Sequence, residues 1–191
     1  LIELTENADV PAIHRARDSV LRHLAGALKG ELIDCYQRQQ NSGPYEVTPE
    51  AIARRSLRNT ALAWLLMIDD EEGRGLAVSQ LNAADNMTDR MGALRALVNS
   101  GYEADRQKAL DHFYDRFQDD PQVVEQWFSV QASSDQAGQL ADIRKLLEHP
   151  AFDWKDPCLL YHSDASDERT NRGSRYKQQT NATNARSDEC L

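Results

Sequence analysis

Residues 61–68, ALAWLLMI, form the longest apolar run in the chain. The run is well short of the roughly 18 residues that a transmembrane helix needs, so it reads as a buried helix segment. Thr48-Pro49 supplies a start signal upstream: the Thr hydroxyl can accept a bond from an orphan N–H, and proline at the first helical position loses no internal bond. A helix over about 49–68 that is apolar nearly all round near its end belongs at the centre of a stack of other helices.

The neighbouring segments can supply that stack. Ile13, Ala16, Val20, Leu24 and Leu28 mark a long amphipathic first helix, extended to Tyr36. QQNSGPYEVTP (39–49) ends it, and DDEEGRG (69–75) reads as a polar connection with two glycines before a short helix over about 76–84. Asn86 or Thr88 caps the next helix, whose Met87, Met91, Leu94 and Val98 share a stripe that ends at Gly101. Leu110, Phe113, Tyr114 and Phe117 then repeat the helical spacing. Asp120-Pro121 is a second cap-plus-proline signal, and Val123, Val124, Trp127, Phe128 and Val130 follow it as a wide apolar face. A last helix over about 136–147 carries Leu140, Ile143 and Leu147.

No segment alternates with period two, so the expected class is all-α, with at least seven helices antiparallel to their neighbours. Periodicity leaves a globular bundle and an α-solenoid equally open. The structural positions singled out are Thr48, Pro49, Asn86, Asp120, Pro121, Trp127 and Phe128. Trp127 is expected in the core, facing the helix of Phe113 and Phe117.

Chemistry is harder to find. The five histidines form no H-E-x-x-H, and none lies three or four residues from another. His112 reads as a surface or boundary residue, and Glu148-His149 lacks a second histidine. The three cysteines are widely spaced and form neither a disulfide framework nor a zinc ribbon, so a reducing, cytoplasmic setting is expected. DDEE (69–72) and QDD (118–120) lie at helix boundaries, where carboxylates suit the helix dipole. A net charge of −9 argues against nucleic acid or an anionic membrane as partner. No catalytic, cofactor-binding or metal residue is assigned. Residues 161–191 hold five acidic and five basic side chains and only seven apolar ones, so residues 158–191 are expected to be disordered or loosely packed. The opening LIELTENADVP has neither the basic start nor the apolar stretch of a signal peptide, and without an initiator Met it reads as a fragment or a processed chain.

Several stretches in a fixed order carry a resemblance. AIHRARDSVLRHLAGALKGEL (12–32), RRSLRNTALAWL (54–65), NAADNMTDRMGALRALVNSG (82–101), ALDHFYDRFQDDPQVVEQWFSVQASS (109–134) and LLEHPAFDWKDP (146–157) together resemble the C-terminal helical domain of bacterial aminopeptidase N. These are zinc metallopeptidases of the alanyl aminopeptidase family. The resemblance implies antiparallel helix pairs stacked as an ARM/HEAT-like α-solenoid over residues 1–157. It also implies a non-catalytic domain that folds over the catalytic domain and limits entry to its zinc chamber. The family's H-E-x-x-H and G-x-M-E-N motifs are absent from this chain, so no zinc is expected here, and zinc is implied only for an upstream catalytic domain. After Pro157 the family pattern stops. The expected partner is that upstream domain; the alternative is a free-standing helical scaffold that binds other proteins.

Overall fold

The computed structural model describes residues 9–40, 43–134 and 139–153. Among them are eight helices and no strand: α1 Val10–Ala27, α2 Lys29–Arg38, α3 Pro49–Met67, α4 Glu71–Ala83, α5 Met87–Val98, α6 Glu103–Phe117, α7 Pro121–Ala132 and α8 Gln139–Leu147. The tail expected to be loose, residues 158–191, lies outside the described residues, as does residue 154 onward.

Each helix packs chiefly on those one and two places along the chain: α2 on α3, α4 on α5, α6 on α7, and also α1 on α3, α3 on α5, α5 on α7. Short connections force consecutive helices antiparallel, and the alternate contacts stack each pair on the next. That is the pattern of a solenoid, in which contacts stay local along the stack. At its centre lies α5, where eight of twelve residues are buried. Met91, Leu94 and Val98 of its apolar stripe are buried, and Met87 is half-buried. Leu62, Leu65 and Leu66 of the ALAWLLMI run are fully buried, whereas Ala63 remains exposed.

Side-chain caps begin most of the helices. Thr48 Oγ1 accepts from Ala51 N at 3.3 Å, with Pro49 in the first turn of α3. Asn86, rather than Thr88, caps α5 by accepting from Asp89 N at 2.9 Å. Asp120 accepts from Gln122 N at 3.1 Å and from Val123 N at 3.4 Å, with Pro121 next. Asp9 and Asp70 cap α1 and α4 in the same way.

Three expectations are corrected. The first long helix is two, because the backbone turns out of helical geometry at Leu28. The DDEEGRG stretch is not a connection: α4 starts at Glu71 and includes both glycines. Gly73 is there because α4 lies against α3 so closely that a Cβ would stand 2.7 Å from Leu65 Cβ. Third, the apolar stripe of α1 is not core. Ala25 is the one residue of α1 that is buried, while Val20 and Leu24 are exposed.

Candidate functional site

Two interior clusters tie the helices together, and a set of large apolar side chains is left exposed. The first cluster centres on Gln80 of α4, which is 3% exposed. Its Oε1 accepts from Tyr36 Oη (2.9 Å) on α2 and from Arg58 Nε (3.0 Å) on α3. Its Nε2 donates to Asn59 Oδ1 (2.7 Å) and to the Asp89 carbonyl (2.8 Å) of α5. Two donors and two acceptors on one carboxamide are all used. Around it, Asn59 Nδ2 donates to Asp89 Oδ1 (3.2 Å), Asn86 Nδ2 donates to Asp89 Oδ2 (3.0 Å), and Arg58 stands over the Tyr36 ring at 5.1 Å. Gly92 makes the room: a Cβ there would lie 2.5 Å from the Asn59 side chain. Burial raises the Tyr36 hydroxyl pKa, against an opposing pull from Arg58.

The second cluster is aromatic. Trp127 is buried on α7, donates from Nε1 to the Leu110 carbonyl of α6 at 3.0 Å, and packs on Tyr114 with centroids 5.0 Å apart. Phe113, on the same face of α6, is fully buried. Beyond α8 the chain folds back. The His149 ring sits 4.9 Å from Tyr114, 5.3 Å from Trp127 and 5.6 Å from Phe128, and Phe152 packs on Phe128 at 5.6 Å. His149 Nδ1 accepts from Ala151 N at 3.2 Å, and burial lowers its pKa. His149 could not be singled out from the sequence, because it is placed by a turn after α8 and carries no spacing signal. His112 is exposed on α6.

The turns at one end of the stack are tied together. Asp69 has a left-handed backbone (φ 51°), and its carboxylate accepts from Gly101 N at 2.7 Å. Its carbonyl accepts from Tyr102 Oη. Asp70 is paired with Lys29. Burial works to raise the Asp70 carboxyl, but Lys29 and the Gly73 N–H outweigh it and hold its pKa below the usual carboxylate range. Arg74 joins Asp105 and Glu71 across α4 and α6.

A third group of side chains lies at the other extreme of burial. Every large apolar side chain strongly exposed among the described residues falls between positions 20 and 57: Val20, Leu24, Leu28, Tyr45, Val47, Ile52 and Leu57. Arg55 covers the Tyr45 ring at 4.8 Å and donates to the Glu46 carbonyl at 2.9 Å. They lie on α1 and its end, on the connection from α2 to α3, and on α3. Among the described residues no group of three or more His, Cys, Asp or Glu is placed to hold a metal ion. No helix among them is long and apolar enough to cross a membrane.

Comparison with known proteins agrees with this architecture. Residues 1–162 match the model of a family described as a domain of unknown function with ARM repeats, DUF3458_C. The chain is 33% identical over 157 residues to aminopeptidase N of Escherichia coli K12, covering 82% of this chain and 18% of that protein. It is 32% identical over 155 residues to aminopeptidase N of Caulobacter vibrioides, covering 81% of this chain and again 18% of the relative. Among solved structures, Legionella pneumophila aminopeptidase A in complex with aspartic acid superposes with a TM-score of 0.73 at 26% identity, over 86% of this chain and 20% of that one. The chain thus spans less than a fifth of the curated relatives' length, within their C-terminal portion. It belongs to the DUF3458_C family of ARM-repeat domains and is homologous to the C-terminal helical region of bacterial aminopeptidase N.

Proposed function

We propose that this domain is the non-catalytic helical part of an aminopeptidase N-like zinc enzyme, where it covers the active-site chamber and limits which substrates enter. The observation that carries the reading is the match of 82% of this chain to the C-terminal region of a named aminopeptidase. The hydrogen-bonded and aromatic contacts that tie the helices together support it, since a wall that selects by size must hold its shape. The activity of the whole polypeptide would be removal of N-terminal residues from peptides, in the cytoplasm. The described residues offer no ligand cluster for zinc, so the metal and the bond cleavage would belong to the rest of that polypeptide.

The test uses the natural full-length polypeptide. Loosening the stack by Trp127→Ala should raise kcat/KM for long peptides relative to an alanyl anilide, which is small enough to pass any lid. Equal changes for both substrates would sink the covering role. The exposed apolar side chains of α1 and α3 also suit a second reading, a free-standing scaffold that binds other proteins. That reading requires the cell to make the domain without a peptidase portion, which the mass of the endogenous polypeptide decides.

A further inference from the structure

The chain beyond α8 closes a turn that carries two rings. Phe152 N donates to the His149 carbonyl at 2.9 Å, with Pro150 in the second position of the turn. His149 and Phe152 stand first and fourth in it. Both rest on Phe128 with centroids 5.6 Å apart and ring planes near perpendicular, at 80° and 78°. His149 also meets Tyr114 and Trp127, so α6 and α7 together receive it. One polar contact fixes the imidazole: Nδ1 accepts from Ala151 N at 3.2 Å. A nitrogen that accepts carries no proton, so the neutral ring holds its proton on Nε2. A second proton has only Nδ1 to go to. There it would face the Ala151 N–H, donor against donor.

We propose that the turn from His149 to Phe152 is a proton-sensitive clasp, closed over α6 and α7 while His149 is neutral and released when the ring is doubly protonated, which uncovers Phe128. Three observations carry this. The contact at Nδ1 exists only in the neutral ring. The residue that titrates and the residue that docks are the two ends of one turn, so loss of the first frees the second. The surroundings bring no charge to bear on the ring: from α6 the titratable group against it is Tyr114, and from α7 it meets Trp127 and Phe128, which do not titrate. On α8 Lys145 is paired with Asp142, and Glu148 and Asp153, at either side of the turn, are exposed. Burial alone moves the imidazole pKa, downward. Release stays local, because Leu146 of α8 is buried on its own account and the turn lies beyond it.

The test follows two signals by NMR in the 191-residue chain as pH is lowered from 7.5. One is the titration of the His149 ring. The other is hydrogen exchange at the Phe152 amide, as a protection factor corrected for the intrinsic pH dependence of exchange. Protection at Phe152 should fall by at least about tenfold as His149 titrates, the change that one pKa unit between docked and released rings produces. Protection at Leu94 in α5 should change by less than about twofold. In His149→Asn the side-chain oxygen can accept from Ala151 N as Nδ1 does, but takes up no proton in this range. Its Phe152 protection should therefore be level across the same window. Parent protection that stays level or rises while His149 titrates would overturn the proposal, for the aromatic faces would then be holding the cation in place. An equal fall in His149→Asn would overturn it too, as would equal falls at Phe152 and Leu94, which would mean that acid loosens the whole stack.

Discussion

The two halves of this stack solve the same packing problem by different chemistry. Between α2 and α5, four helices meet at Gln80, whose carboxamide has every donor and acceptor engaged. Between α6 and the turn after α8, the meeting point is Trp127, ringed by Tyr114, Phe128 and His149. A saturated polar centre is directional: it accepts one register of the four helices and rejects the rest, because a slip leaves buried groups unpaired. An aromatic centre is bulk first and direction second. Its rings contribute mostly by area removed from water, with one hydrogen bond, Nε1 to the Leu110 carbonyl, to fix the pose.

That contrast can be attacked from its strong side first. Trp127→Ala should cost about 3–5 kcal/mol, from lost transfer energy and a cavity, and should lower the urea midpoint with little change in slope. A midpoint that hardly moves would mean the rings are not the core of the second half. Gln80→Leu should cost about 2–3 kcal/mol, because a side chain of similar size strands the Tyr36 hydroxyl, Arg58 Nε and Asn59 together. The sharper measurement is a double-mutant cycle with Asn59→Ala, which should show a coupling of at least about 0.5 kcal/mol. Additive losses would show that Gln80 is merely packed. Gly92→Ala should cost about 1–2 kcal/mol, since the new methyl meets the Asn59 carboxamide and must displace it. In an Asn59→Ala background that cost should largely vanish.

The smallest effect is a pH dependence confined to the aromatic half. Burial depresses the folded-state pKa of His149 below its ordinary value of 6.5. The unfolded chain therefore takes up the proton first as pH falls. The contribution of neutral His149 is complete above about pH 6.5 and is lost as pH drops through the folded-state value. Chemical denaturation at pH 7.5 and at successively lower pH, beside His149→Phe, isolates it: the substitution should flatten the profile in that window. An unchanged profile would mean that His149 is solvated.

What could be read from the sequence follows from how local each signal is. The starts at Thr48-Pro49 and Asp120-Pro121 are legible because a cap and its N–H lie within three residues of each other. The Trp127 stripe is legible because α7 is apolar on one broad side. Gly73 and Gly75 misled, because two glycines with four acidic residues look like a loop until α3 is placed 2.7 Å from a would-be methyl. Gln80 could not be found, since its partners come from positions 36, 58, 59 and 89 and nothing near it in sequence marks it. The stripe of α1 was legible as apolar, but not as exposed, because spacing does not say whether another element covers it.

The central place of α5 bears on how the chain acquires its shape. Like α3, it has neighbours on both sides in each row, and eight of its twelve residues are buried. Until it is present, α3 lacks its contact with α5, although Leu65 and Leu66 lie against α4. On the ribosome, then, the first three helices should emerge without a lasting structure and condense only once residues to about 98 have cleared the exit. The pairing that follows is between near neighbours in sequence, the kind that forms quickly. Substitutions in α5 such as Leu94→Ala should accordingly slow refolding, whereas those at Phe152 should speed unfolding.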